Sequence, residues 1–543
     1  MNRKLLIITG MVLLFVAGIY GYRYVTTDQE LQVGVMDGLT LNLEQTDLRF
    51  TYNGTTNVPH IFAEEIRHHW DVRQGFFSTP AELIVAIRTF DDGDVMLFTR
   101  LENPGEGELT LPVALEAKGV TSQEAFLYPS DDFEREYDPT LGIDPTSYPT
   151  GLFRLEDGEE HRFDLFAGKN HLSTEQVRDY EDGARSVLRE LETEEEDLTW
   201  TEDGTTKTMT TSLTSEGEDL SEQWLLLSKD PLFDNLTQLE EWQDYTMDNY
   251  KYVNKWYTMD GAYRKLPFSI EPFTQFGYGR NLGTMREQVI LDRYLESGER
   301  FFRTMVQNSV TDLLMYRSGD EEVWKTEYTS TWLKDQWGIR APFVDTRHNE
   351  SIALFFLDSA DLFEEPALAQ EAGHYSRFLH RQVEEGNTIE LGDGQMLIAD
   401  YEGIYDDGLT HASLNHVLGE INFLLRWYLY EGDEADLGLA TTLLESVETI
   451  GDDWIRDNGD LWYQINPDLS FDGNDYPALT LKDLLKSQEL LEAAEQGISE
   501  VLEELIASKA AFAVAEGVSL DVEIRGMLEE QGYQDILEEM DEE

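Results

Sequence analysis

The sequence contains no cysteine, which removes disulfide scaffolds, thiol nucleophiles, lipoprotein attachment and thiolate metal sites from consideration. Positive charge is scarce: 40 Lys+Arg stand against 109 Asp+Glu, a net charge of −69. Such a field is a poor partner for nucleic acid or for an anionic membrane surface. It would also repel an anionic sugar polymer, unless a local basic pocket or salt offsets it. The acidic residues are spread along the whole chain rather than gathered in a tail. The surface therefore suits high-salt or alkaline surroundings, where counter-ions screen repulsion over a few ångströms.

One apolar run stands out at the start, "MNRKLLIITGMVLLFVAGIYGYRY". Arg3 and Lys4 precede it, and the stretch from Leu5 to Gly21 would cover about 26 Å as a helix, enough to span a bilayer with snorkelling flanks. Tyr20, Tyr22 and Tyr24 would lie at the far interface. No A-x-A-like cleavage site follows, so residues 1–29 are expected to be an uncleaved single-pass anchor, with a cleaved signal peptide as the alternative. Either way the basic flank places the remaining chain outside the cytoplasm.

A chain of 543 residues is long for one core, and its pattern divides. Residues 30–240 alternate apolar and polar side chains over short runs punctuated by Asp-Gly and Pro-Gly, as in "AELIVAIRTFDDGDVMLFTRLENPGEGELTLPVALEA". That predicts an antiparallel β domain, sandwich or barrel. Within it, "STEQVRDYEDGARSVLRELETEEEDL" (173–198) is expected to form a short acidic helix.

From 241 to 543 the period becomes helical. Four segments starting at 287, 351, 419 and 480 each read as an apolar helix, a turn and an amphipathic helix. The recurrence predicts stacked αα-hairpins in an α/α toroid, an incomplete α/α barrel. The connections are long and aromatic, including "FTQFGYGRN", "TSTWLKDQWGIRAPF" and "LIADYEGIYDDGL", which suits the mouth of a cavity where sugars stack on rings. They carry Arg280, Trp337, Arg340, Arg347 and Tyr405, and Asp406 and Asp407 form a carboxylate pair with Glu402 nearby.

The stretch "THASLNHVLGEINFLLRWY" (410–428) joins a polar start to an apolar helix. His411 with Asn415, and His416 with Glu420, are spaced i,i+4 and so share a face. Their alternatives are hydrogen-bonded core groups or contacts to a polar substrate. A metal at these pairs is the lesser alternative, since a structural zinc site wants more closely organised N and S ligands and Cys is absent; no cofactor is expected.

Residues 395–491, with Tyr405-Asp406-Asp407, Leu414-Asn415, Trp427-Tyr428, Trp462-Tyr463 and Asp475-Tyr476, resemble the C-terminal domain of D-glucuronyl C5-epimerases. The likeness is weaker over 270–394. It implies a β domain followed by an α/α barrel, and acid/base work by Tyr463, Tyr476 and one of Asp406 and Asp407. The family's Arg after its catalytic Tyr is absent here, where the text reads Tyr463-Gln-Ile-Asn-Pro467, and Pro477 stands where the family has His. Arg280, Arg340 and Arg347 are the candidates to replace that Arg. Tyr405, Asn415, His411, His416, Glu420, Trp337 and Trp462 would contact substrate.

The expected function is binding or modification of a uronate-bearing polysaccharide by a membrane-anchored, extracytoplasmic protein, with epimerisation as the first reaction type. Hydrolysis or lysis on the same barrel, and a non-catalytic carbohydrate-binding module, are the alternatives. An enzyme requires Tyr463, Tyr476, a carboxylate and an Arg to converge on one open cleft. The oligomeric state is not legible.

Overall fold

The structure, a computed structural model, describes residues 31–43, 48–74, 78–129, 135–253, 255–317, 321–405 and 408–537. The apolar run at 5–21 and the Asp406-Asp407 pair lie outside these residues. Among the described residues no helix is long and apolar enough to cross a membrane.

Antiparallel sheets dominate the first half. Among the described residues a five-stranded sheet, ordered Gln32–Met36, Leu39–Leu43, Leu109–Lys118, Thr206–Ser215 and Leu198–Asp203, faces a thirteen-stranded one. The larger sheet includes Leu48–Pro59, Ala63–Gln74, Ala81–Phe90, Val95–Asn103 and Asp219–Ser228 in neighbouring positions. Its middle strands are buried on both faces, and the period of two sorts their side chains. Along Ala81–Phe90, Leu83, Val85 and Ile87 enter the core between the sheets, while Ile84 and Ala86 pack toward the helices. The neighbouring strands keep that parity, with Leu97 and Leu225 in the sandwich and Phe98 and Trp224 on the helical side.

The segment expected as an acidic helix is instead a β-hairpin. Strands Asn170–Asp179 and Arg185–Glu195 pair in register from Asp179↔Arg185 to Asn170↔Glu195. Local propensity favoured helix through its Glu and Arg content. Tertiary pairing overrides it, because Ser186, Leu188, Arg189 and Leu191 are buried against neighbouring strands and loops, and the Asp182-Gly183 turn closes the hairpin.

The sheet continues past residue 240. Strands Gly277–Gly279, Gly261–Lys265 and Trp256–Thr258 extend it beyond Arg185–Glu195. Around these strands the helices pair in sequence: α1 (Leu236–Asp248), then α2 (Gln288–Ser297) with α3 (Arg300–Tyr316), and α4 (Thr346–Phe363) with α5 (Pro366–Glu385). These are followed by α6 (Leu414–Glu431) with α7 (Glu434–Ile450), and α8 (Leu479–Ala493) with α9 (Glu500–Ala515). Helices α4, α6 and α8 lie side by side as the inner row. Two of these begin five residues before the apolar stretch that marks them in the sequence, because their first turns are polar and face a site.

Candidate functional site

The N-termini of α4, α6 and α8 meet at one end of the inner row. Asp345 caps α4 by accepting the His348 amide at 3.0 Å, and Thr346 and Arg347 follow in its first turn. Strand Ala412–Ser413 leads into α6 and pairs with Trp462–Ile465, which in turn pairs with Phe471–Asn474. Gly473 sits at a φ of 82°, and a Cβ there would lie 2.9 Å from the Tyr463 Cβ. Only glycine lets the Tyr463 ring lie across that strand.

Asp400 is the polar hub. Its carboxylate accepts the Ser413 amide at 2.7 Å and the Ser413 hydroxyl, and lies 3.1 Å from His411 Nε2 and 3.7 Å from His416 Nε2. Burial alone would raise its pKa, but the two histidines and Ser413 outweigh that and hold it below the usual carboxylate range. His416 is driven the other way: burial lowers its pKa against the pull of Asp400 and Asp345, favouring neutral imidazole. Its Nδ1 lies 2.8 Å from the Thr346 hydroxyl.

Around this hub stands an aromatic wall. His411 is fully buried, with Trp337, Trp332, Tyr401 and Tyr463 ring centroids 5.4, 5.5, 5.8 and 6.0 Å away. Tyr463 meets Tyr476 edge-on at 5.8 Å. Burial, with Asp400 and Tyr476 adding to it, pushes the Tyr463 phenol well up; burial, Asp345 and Asp400 do the same for Tyr476. Both shifts favour the protonated phenol. Tyr476 is 48% exposed and Trp332 41%, so the wall opens to solvent.

Arg347 runs beneath this mouth. It donates to Asp483 Oδ1 at 2.9 Å and to the Asn415 carbonyl at 3.1 Å. A Cβ on Gly419 would lie 2.4 Å from its guanidinium, so that helical glycine is what admits the side chain. Several buried polar atoms here have no hydrogen-bond partner among the described residues: His411 Nδ1, Asn415 Oδ1 and Trp337 Nε1. Buried polar groups are ordinarily satisfied, so these atoms are open to a polar contact from outside the chain.

Of the residues expected to act together, Tyr463, Tyr476, His411, His416, Asn415, Trp337 and Arg347 converge. Tyr405 is half exposed and packs over Gly183 at the tip of the β-hairpin. Arg280 does not reach the site. It is paired with Glu327, donates to the Asp260 carbonyl at 3.0 Å, and lines a separate cavity of about 1470 Å³ with Arg67, Arg100 and Tyr263. Strand alternation turns Trp462 away from Tyr463, onto Phe471 and Arg456. Among the described residues no cluster of His and carboxylates could hold a metal ion. Asp345, Thr346, Asp400, Ser413 and Trp332 were missed in the sequence. Asp345 just before a helix is a capping signal, but nothing local ties Asp400 to His411 or His416.

Glu420 is not a contact in the mouth but a buried acid one turn below His416, fully inaccessible. Burial, with repulsion from Asp400, raises its pKa well above the ordinary value, so the folded state holds a proton that the unfolded chain releases. Stability then falls as pH rises above the ordinary carboxylate range, at about 1.4 kcal/mol per unit until the raised value is passed. Glu420→Gln is expected to flatten that slope, read as Tm against pH from about 5 to 8. An unchanged slope would place the proton elsewhere.

No family model matches the chain, and no curated protein matches it. Among solved structures it is similar to a D-mannose isomerase, at 13% identity and a TM-score of 0.33 over 45% of this chain and 62% of that one. It is also similar to the cellobiose 2-epimerase of Bacillus thermoamylovorans B4167, at 11% identity and a TM-score of 0.33, covering 44% and 61%. A family 76 α-mannanase of Bacteroides thetaiotaomicron gives 18% identity and a TM-score of 0.34, covering 51% and 68%. The chain spans less than two thirds of the length of the isomerase and of the epimerase.

Proposed function

We propose that the chain is a carbohydrate-active enzyme that moves a proton at a sugar carbon of a uronate-bearing polysaccharide, in the manner of a C5-epimerase. The observation that carries this reading is the meeting of Tyr463 and Tyr476 with the His411–Asp400 pair in one aromatic mouth. Epimerisation at C5 removes a proton α to the carboxylate and returns one to the opposite face, so it needs a base and a donor on either side of the ring. His411, oriented by Asp400, is assigned the base. The protonated Tyr463 is assigned the donor, with Tyr476 beside it. The amide ends of α4, α6 and α8 and the Arg347 charge favour the negative charge that builds on the carboxylate. Exposed Trp332 and Tyr405 offer rings for neighbouring sugars to stack on. An anchor at residues 5–21 would hold this mouth at the outer face of the cell membrane.

The test is incubation of uronan polymers with the protein in deuterated high-salt buffer, followed by NMR at C5. Deuterium at C5 without chain shortening is the expected result. New reducing ends would assign hydrolysis, and unsaturated ends lysis. Binding without any of the three would leave a carbohydrate-binding module and overturn the enzymatic reading.

A further inference from the structure

Near the mouth lies a depression of about 380 Å³, lined by Arg178, Tyr180, Lys334, Gly338 and Arg340. A volume of that size is within the range of small-ligand pockets. In a chain with 109 acidic and 40 basic residues, a depression with three cations and no carboxylate in its lining stands against the composition. Each of the three cations is paired with a carboxylate outside that lining. Glu271 accepts the Tyr180 hydroxyl at 2.7 Å, lies 3.2 Å from Arg178, and pairs with Lys334. Asp182 holds Arg340 at 2.7 Å. The exposed Asp335 is 4.0 Å from Lys334. Arg178 and Arg340 both lie over the Tyr180 ring, at 5.3 and 5.8 Å, which fixes the two guanidinium groups on one platform.

Two chain segments build this depression, and one of them also supplies Trp332 and Trp337 of the mouth. Lys334 is one helical turn before Trp337, whose ring faces His411, in the helix Thr331–Trp337. Arg178 and Tyr180 come from the β-hairpin, which is tied to the same region by Arg185 N–H to the Ala341 carbonyl at 3.0 Å and by Thr329 N–H to Ser186 Oγ at 2.8 Å. Lys334 and Trp337, on one face of that short helix, thus join the depression to the aromatic wall of the mouth.

We infer that Arg178, Tyr180, Lys334 and Arg340 form a subsite for an anionic substituent, a carboxylate or a sulfate ester, on a sugar flanking the one in the mouth. This rests on the saccharide reading above and names what that reading lacks. A surface of net charge −69 repels a polyanion, and this depression supplies the local attraction that lets one dock. Guanidinium forks suit both oxyanions.

The probes are an oligoglucuronate, the same oligomer with its carboxyls reduced to hydroxymethyl groups, and a sulfated form of the reduced oligomer, each titrated by calorimetry against the full chain. Wild type is expected to prefer the two anionic oligomers at least about tenfold over the neutral one. The ratio of carboxylated to sulfated affinity identifies the substituent. Arg178→Gln and Lys334→Gln should each remove most of the preference while leaving the affinity for the neutral oligomer within about twofold, and the wild-type preference should shrink with salt. Arg178 is half exposed, so Arg178→Glu reverses the charge at a solvent-facing position; it should invert the preference, with an unchanged Tm checking that the fold is kept. If all three oligomers bind and these variants keep the wild-type preference, the subsite is overturned and the saccharide reading stands. If no oligomer binds wild type, both fall.

Discussion

Replacing Arg88 by alanine is expected to cost about 3–5 kcal/mol of folding stability, the scale for breaking a buried ion pair. Arg88 is wholly inaccessible and points from the large sheet into the helical half. Its Nε donates to Glu65 Oε2 at 2.7 Å, and its Nη1 donates to Asn308 at 2.6 Å and Asp312 at 2.7 Å, both on α3. Removing it leaves two carboxylates in a core: Glu65 keeps its ion pair with Arg67, whereas Asp312 keeps the neutral Asn308 amide, which donates to its Oδ2 at 3.0 Å. Burial already pushes Asp312 up to about 6 with Arg88 present, so in the variant its carboxyl is expected to take up a proton at neutral pH. Thermal or urea unfolding of the purified chain checks the magnitude. A combined Arg88→Met, Glu65→Gln, Asp312→Asn chain should recover much of the loss, since apolar and neutral groups carry no desolvated charge. A loss below about 1 kcal/mol in the single variant would mean the clasp is dispensable.

Tyr463→Phe is expected to lower the rate of C5 deuterium incorporation about 10²- to 10⁴-fold, the usual contribution of a positioned proton donor. The substitution keeps the ring against His411 and Tyr476 and deletes only the phenolic oxygen, so Tm should move little. The pH profile separates chemistry from packing. Because burial holds the Tyr463 phenol well above its ordinary value, it stays protonated across the working range, so the deficit of the variant should be the same at every pH at which the fold is intact. Exchange within about threefold of wild type would move the donor role to Tyr476.

The architecture was legible wherever one period held over a whole element. Alternation marks Ala81–Phe90 and Val95–Asn103 as strands, and the apolar repeats mark the helical hairpins. The hairpin at 170–195 was not legible, because Arg189, Glu190 and Glu192 read as helix surface until the sheet and the Glu327 and Ala341 backbones that bury and bond it are known. The site was half legible. His411, Asn415 and His416 stand out as polar groups at the head of an apolar helix. Asp345 and Asp400 do not, because what makes them site residues is the packing of α4 beside α6, a contact between segments some 70 residues apart. Arg280 was misplaced for the same reason, since an aromatic loop shows its chemistry and not the cavity it faces.

The two-sided strand Ala81–Phe90 also constrains how this chain can drift. Odd positions serve one core and even positions the other, so losing or gaining a single residue within it would exchange the two sets at once. Val85 and Ile87 would turn toward α3 and the Arg88 guanidinium into the sandwich. Length changes among descendants of this sequence are thereby confined to its loops, and the strand itself can vary only by substitution that respects its parity.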